Sequence, residues 1–380
     1  MKILNVNMSL DRVTGGGSAE RTLQISHSLV KAGHQITVLS TDTGLSSAYV
    51  QQSERWGLKV IALPSIWHRF YVSKPSYQLV RELVHEADVV HLMSHWTLIN
   101  VLAYRAIKAY LKPYVVCPAG ALQIFGRSRI LKKLYNQCIG REIVCNANAC
   151  IAVSTNEIAQ FESYGIQADK VSVIPNGINA DDFPESDGSS FRTESGIGDA
   201  PMILYMGRLN TIKGPDLLLE AFIRCNQDKR LRDYHLVFAG PDEDMQQELK
   251  RTMSKYGLDE RIHFTGHISG NTKSDAYHAA DFLVIPSRQE AMSIVVLEAG
   301  VTGTPVLITD RCGFDDVAKV GGGMVVPADV DGLQKGLVEM LQDKNSLIAM
   351  GAKLKAHVTA NFTWDIITER YLNLYEKILH

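Results

Sequence analysis

Short, nearly uninterrupted apolar runs recur along the chain, each followed by a longer stretch in which apolar positions return every three or four residues. In the first half the runs are Ile3–Asn7, Gln35–Ser40, Lys59–Leu63, Val89–Met93, Tyr114–Cys117, Cys150–Ser154 and Val171–Ile174. In the second half they are Met202–Met206, His235–Ala239, Ile262–Thr265, Asp281–Ser287, Pro305–Thr309 and Met324–Val326. Runs without polar alternation predict strands covered on both faces, and helix-length segments between them predict βαβ units, a mostly parallel sheet and right-handed crossovers. The series breaks at Pro175-Asn176-Gly177, and Asp182 to Gly198 is polar and aperiodic, as an interdomain connection should be. The expected organisation is an α/β protein with domains at 1–177 and 178–361, and a terminal helix over 362–380, marked by Trp364, Tyr371 and Tyr375, that braces the first domain.

Parallel sheets bind ligands outside the carboxyl ends of their strands, where helix N-termini point free N–H groups at anions, so residues just after each run carry the candidate chemistry. Glu290 follows one run directly, and Glu298 stands eight residues later, about a turn inside a helix for which Ser293 is the expected N-cap. Arg208 and Lys213 follow another run in Gly207-Arg208-Leu209 and Lys213-Gly214 and place two cations where a pyrophosphate would be held. Gly15-Gly16-Gly17 precedes a predicted helix Ala19–Ala32, and glycines there let a phosphate or sugar approach the backbone. Either His91 or His95, near the end of the run Val89–Met93, is a candidate to meet a transferring sugar. For each, the plainer alternative is a solvated or core residue: acids on a helix face, snorkelling cations, a turn, a structural histidine. Asp242-Glu243-Asp244 reads as the acidic start of a helix.

Composition narrows the classes. The 380 residues are 46% hydrophobic with a net charge of -2, which suits two cored domains and gives no drive toward nucleic acid. Six cysteines without a C-x-x-C pair read as reduced thiols rather than a disulfide frame or zinc site. No stretch is long and apolar enough for a membrane span, and the N-terminus runs straight into a strand pattern, so the expectation is a cytoplasmic protein. Arg127, Arg129, Lys132 and Lys133 beside Ile130, Leu131 and Leu134 could still touch an anionic inner membrane face or a lipid diphosphate, although a solvated helix face gives the same pattern.

Strand, Pro-Ser, Glu290, a short loop, Leu297-Glu298-Ala299-Gly300 and Gly303-Thr304-Pro305 together resemble the acid-x7-acid signature of the retaining, nucleotide-sugar-dependent group 1 glycosyltransferases of GT-B fold. Gly-Arg-Leu…Lys-Gly at 207–214 and Pro-Asn-Gly-Ile at 175–178 fit the same family. Ala291, Met292 and Ser293 stand where that family usually has Gly-Phe-Gly, and Met93 with His95 where it often has His-x-His. The resemblance implies two Rossmann-like domains facing a cleft, the first binding a glycan or lipid-linked acceptor and the second a UDP- or GDP-sugar. It implies transfer with retention, without a metal or other cofactor, in glycan or polysaccharide synthesis. Arg208 and Lys213 would neutralise the diphosphate, Glu290 would hold the sugar and Glu298 the ribose. Gly16, Gly17, Gly207, Ile268, Met292, Ser293 and Ile294 would line the substrate site, with His95 or His91 beside the sugar. A nucleotide-sugar epimerase and a non-catalytic sugar-nucleotide sensor share the same architecture and remain alternatives.

Overall fold

The computed structural model describes residues 1–11, 15–67, 72–73, 76–124, 128–226, 228–341 and 343–380. The chain divides into two units, Met1–Gly177 with Trp364–His380, and Ile178–Thr363.

The first unit carries β1 (Lys2–Val6), β2 (Gln35–Thr41), β3 (Lys59–Leu63), a small β4 (Ser65–Trp67) and β5 (Val72–Ser73) pair, β6 (Val89–Met93), β7 (Tyr114–Cys117), β8 (Ala149–Ala152) and β9 (Val171–Val173). Apart from the β4–β5 pair, these strands form one parallel sheet ordered β3-β2-β1-β6-β7-β8-β9. The second unit carries β10 (Met202–Met206), β11 (His235–Ala239), β12 (Ile262–Gly266), β13 (Phe282–Ile285), β14 (Val306–Thr309) and β15 (Gly323–Val326), parallel and ordered β12-β11-β10-β13-β14-β15. Every residue of β6, β10, β13 and β14 is buried, which is why their sequences show no polar alternation. Each sheet supports its own apolar cluster, built around Leu4, Val90 and Val116 in one unit and Ile203, Phe238 and Val284 in the other.

In both sheets the order reverses once, between β1 and β6 in the first and between β10 and β13 in the second. At such a reversal the two following helices leave on opposite faces and open a crevice at the carboxyl ends. The glycine loop and the His95 loop follow β1 and β6, and the Arg208–Lys213 loop and the Glu290 loop follow β10 and β13. All four candidate segments therefore fall on switch points.

Local chemistry explains where the elements end. The run expected over Asp281–Ser287 shortens to Phe282–Ile285 because Asp281 uses its carboxylate to accept from Met202 N at 2.7 Å and Pro286 has no N–H to give. β8 stops at Ala152 because Val153 N donates to buried Glu157 at 2.6 Å instead of to a strand. The segment Asp182–Gly198 does not behave as a bare connection. It holds a helix, Ser189–Glu194, whose Phe191 is buried and whose Arg192 donates to Ala200 O at 2.6 Å and to Ala279 O, so it belongs to the second unit. A single buried aromatic in a polar stretch leaves little periodicity to read. The helix Lys344–Asn361, absent from the expected elements, buries only Leu347, Gly351, Leu354 and Val358 along its length.

The terminal helix Trp364–Leu379 buries Trp364, Ile367, Thr368, Tyr371, Leu374 and Tyr375, a stripe at three- and four-residue intervals. Its anchor is Arg21, fully buried on the first long helix, Gly16–Lys31, which donates to Tyr371 Oη at 2.5 Å, to Ile174 O at 2.7 Å and to Asn176 Oδ1. One guanidinium thus joins that first helix, the end of the strand series and the terminal helix. Removing an acceptor from a buried cationic donor costs about 1–3 kcal/mol. Tyr371→Phe is accordingly expected to lower the urea midpoint followed by tryptophan fluorescence, and an unchanged midpoint would count against this role for Arg21.

Candidate functional site

The loop after β10 is fixed before it meets any ligand. Buried Tyr205 donates its hydroxyl to Arg208 O at 2.7 Å, and its proton is held well above the ordinary phenol range by burial, with the nearby charge of Glu290 adding to it. Leu209 N donates to Pro241 O at 2.9 Å and Glu243 N to Leu209 O at 3.1 Å, so the loops after β10 and β11 zip together beyond their strands. Gly214 then caps the helix Pro215–Cys225 with φ +68°, and a Cβ there would sit 2.1 Å from Pro286 O. Only glycine allows both that backbone turn and that approach.

The same contact brings the loop after β13 alongside. Arg288 N donates to Ile212 O at 2.8 Å, and the Arg288 guanidinium grips Asp216 with two bonds of 2.8 and 2.6 Å. Across this joint Lys213 Nζ lies 2.9 Å from Glu290 Oε1, with side chains 24% and 9% exposed, so the pair is largely shielded from water. Ser287 Oγ donates to the same carboxylate oxygen, and Glu290 N donates to Arg311 O at 2.8 Å. Burial, and then the charge of Glu290, push the neighbouring Cys312 thiol up to about 12, so it acts as a packing residue.

Arg208 is turned to Glu243, Nη1 to Oε1 at 2.8 Å. Asn210 joins this contact to the first pair, giving Nδ2 to Glu243 Oε2 at 2.6 Å and accepting from Lys213 N at 2.9 Å. Burial raises the Glu243 carboxyl, but the Asn210 hydrogen bond and the Arg208 and Lys213 charges outweigh it and hold the acid below the usual carboxylate range. Arg208, Lys213 and Glu290 are therefore one network. The acids at 242–244 stand just before the helix Gln246–Lys255 rather than in its first turn: Asp242 accepts from Met245 N and Gln246 N at 2.9 Å, whereas Glu243 belongs to the site. Nothing in the local pattern separates these two adjacent acids.

Ser293 caps the helix Ile294–Thr302, but through its backbone position: its side chain makes no capping bond, and its buried hydroxyl has no partner among the described residues. Met292 is buried beside it. Glu298 stands one turn in, and both of its oxygens are engaged, by Lys273 Nζ and by the Tyr277 hydroxyl, each at 2.6 Å. Sequence reasoning missed Lys273 and Tyr277, whose helix, Gly270–Ala279, carries no strong apolar stripe. Ile268 instead lines a cavity of about 500 Å³ with Phe264, Thr265 and Thr272.

In the first unit the helix begins at Gly16, not Ala19, so Gly16 and Gly17 form its first turn. Gly16 has φ +54°, a left-handed conformation that glycine adopts without strain at the entry to the helix. Asn7 pins this turn, giving Nδ2 to Ser18 O at 3.1 Å and to Thr22 Oγ1 at 2.7 Å, and Ser18 Oγ meets Ser94 Oγ at 3.0 Å across the switch point. Ser94 holds φ +63°, a conformation that costs a non-glycine residue roughly 1–2 kcal/mol and directs the chain into His95. His95 is 3% exposed, with Nε2 2.9 Å from Asn136 Oδ1 and aromatic neighbours Trp96, Tyr135 and Tyr164. His91 lies in the core with Nδ1 2.9 Å from Tyr375 Oη, and burial followed by the Arg21 charge lowers it to about 3. It braces the terminal helix, which removes it as the candidate beside a sugar.

Arg127 lies outside the described residues. Arg129, Lys132 and Lys133 stand on the helix Arg129–Tyr135, which buries nothing; Ile130, Leu131 and Leu134 are exposed, and Lys132 Nζ sits 5.6 Å from the Trp96 ring centre. Among the described residues no helix is long and apolar enough to cross a membrane, and no group of three or more His, Cys, Asp or Glu could hold a metal ion.

Comparison with known proteins follows the same division. The family model described as glycosyl transferases group 1 matches residues 189–357, and that described as glycosyltransferase family 4 matches residues 15–182. An uncharacterised glycosyltransferase of Methanocaldococcus jannaschii is 27% identical over 99% of this chain and 98% of its own length. A D-inositol 3-phosphate glycosyltransferase of Nocardia farcinica is 28% identical over 63% of this chain, a match spanning 54% of that enzyme. Among solved structures, Anabaena HepE in complex with UDP and glucose superposes with a TM-score of 0.79 at 19% identity, covering 99% of this chain and 100% of that one. A sucrose-phosphate synthase from Thermosynechococcus elongatus gives 0.77 at 20% identity, covering 100% of this chain and 99% of that one. The two parallel-sheet units have the GT-B architecture of these structures.

Burial, partly offset by the Asn136 hydrogen bond, lowers His95 to about 4 from an ordinary 6.5. The folded state therefore resists protonation: stability is complete above the unfolded value of 6.5 and is lost as pH falls from there toward 4. NMR of the His95 ring is expected to show a neutral imidazole with no titration between about pH 5 and pH 8. A midpoint near the ordinary value would contradict the buried placement.

Proposed function

Because the chain belongs to the group 1 glycosyltransferases, we propose that it moves a hexose from a UDP- or GDP-sugar to an acceptor hydroxyl with retention of anomeric configuration, in glycan or polysaccharide synthesis. The observation that carries this reading is the meeting of Lys213 and Glu290 at 2.9 Å on the switch point of the second sheet, with Arg208 in the same network. HepE, similar in fold, was solved with UDP and with UDP-glucose, which supports a nucleotide-sugar donor.

In the proposed site Arg208 and Lys213 take the diphosphate as negative charge grows on the leaving group, joined by N–H groups at the start of the helix Ile294–Thr302. Glu290 receives Lys213 and Ser287 on one oxygen, which leaves capacity for a sugar hydroxyl and so orients the anomeric carbon. Glu298 holds the ribose: a carboxylate has about four acceptor positions, so two remain beyond Lys273 and Tyr277. The paired cations supply the charge stabilisation that a metal would give, so transfer is expected to persist in chelator. The first unit receives a glycan or lipid-linked acceptor, and His95, neutral near pH 7, is its candidate polar group.

Arg208→Ala and Glu290→Ala are each expected to lower turnover on the order of a hundredfold in assays run with chelator, with the fold retained. Near wild-type transfer by either variant would refute the assignment. NMR of the product's anomeric proton reads retention directly.

The exposed Ile130, Leu131 and Leu134 beside Arg129, Lys132 and Lys133 suit peripheral contact with an anionic membrane. The protein is expected to float with anionic liposomes at low salt and not with neutral ones, and Ile130→Ser with Leu134→Ser is expected to abolish flotation. Absence of binding at low salt would show that this helix does not contact a membrane.

A further inference from the structure

We propose that Glu243 is a positioning residue for both donor-site cations, an assignment that rests on the donor-site reading above. Its carboxylate works in two directions at once. Oε1 takes Arg208 Nη1 at 2.8 Å, and Oε2 takes Asn210 Nδ2 at 2.6 Å. The Asn210 amide then spends its own oxygen on Lys213 N at 2.9 Å, which closes the turn that ends with Lys213 against Glu290. The backbone reinforces the arrangement, since Glu243 N donates to Leu209 O at 3.1 Å and Leu209 pairs with Asp242 in a parallel bridge. A glutamate from the loop after β11 thus holds the loop after β10, and with it both positive charges that face the switch point.

Geometry separates this role from that of a competitor for the phosphate. Glu243 engages Nη1 of Arg208, and among the described residues no other side chain holds the guanidinium, so the remaining edge of the planar fork stays available to an anion. A pinned fork loses less freedom on binding than a free arginine would. The Arg208 and Glu243 side chains are 42% and 41% exposed, which leaves room for an anion to arrive without breaking their contact. Because Glu243 acts through Arg208 and Lys213 without needing to touch the ligand, its loss should be felt only while those cations are present.

The test is a double-mutant cycle read by calorimetric titration of UDP and of GDP. Glu243→Ala is expected to weaken binding of the preferred nucleotide by about tenfold or more, the scale on which supporting residues affect the groups they orient. Glu243→Gln keeps an acceptor for Arg208 but presents an N–H to Asn210, so it should fall between wild type and Ala. Glu243→Ala should cost clearly less in an Arg208→Ala background than in wild type, because the part carried through Arg208 is lost only once while the part carried through Asn210 and Lys213 remains. A residue that merely supports the fold would give additive losses. Additive effects, or tighter binding by Glu243→Ala, would overturn the proposal while leaving the donor site intact. If wild type and Arg208→Ala alike bound neither nucleotide, the donor-site reading would fail and the role of Glu243 with it.

Discussion

A lysine ammonium and a glutamate carboxylate 2.9 Å apart, each delivered by a loop that leaves a neighbouring parallel strand, set the terms for the second unit. Neither charge would sit so far out of water alone, and Ser287 adds a second donor to the Glu290 carboxylate. Much of the surrounding chemistry holds these two loops in register. Gly214 lets one loop lie against Pro286, Arg288 clamps Asp216, and Asn210 with Glu243 fixes the turn from below. Such a site is organised before any ligand arrives, which is the condition under which charge stabilises a departing diphosphate most.

The first unit repeats the topology with different chemistry. Its switch point brings together Asn7, the glycine-led helix and Ser94 through neutral hydrogen bonds, and the histidine that follows is buried and uncharged. The charge that this unit does bury, Arg21, serves architecture: it ties the first helix to Ile174, Asn176 and the terminal helix, where the chain leaves this unit and where it returns.

Much of this was legible in the sequence because parallel strands buried on both faces write themselves as plain apolar runs, and because ligand residues in such sheets follow those runs directly. Lys59–Leu63, Val89–Met93, Tyr114–Cys117, Met202–Met206 and His235–Ala239 are strands with the bounds the pattern predicts. What stayed hidden depends on contacts between distant segments. Glu243 and Asp242 are adjacent acids with different roles, told apart only by what the loop after β10 places next to each. His91 reads like a site residue until Tyr375, far along the chain, is seen to cover it. Gly16 and Gly17 read as a loop because glycine is a poor helix former, yet Asn7, just past the end of β1, holds that turn in place. The helix Ser189–Glu194 is fixed by one phenylalanine and one arginine, too few residues to make a period.

Whether the two loops at this switch point form a diphosphate site is decided by a crystal structure with UDP or GDP bound. Diphosphate oxygens are expected within hydrogen-bonding reach of both Arg208 and Lys213, with the sugar end directed toward Glu290. A nucleotide seated away from both cations, in a crystal where that crevice is open to solvent, would contradict it.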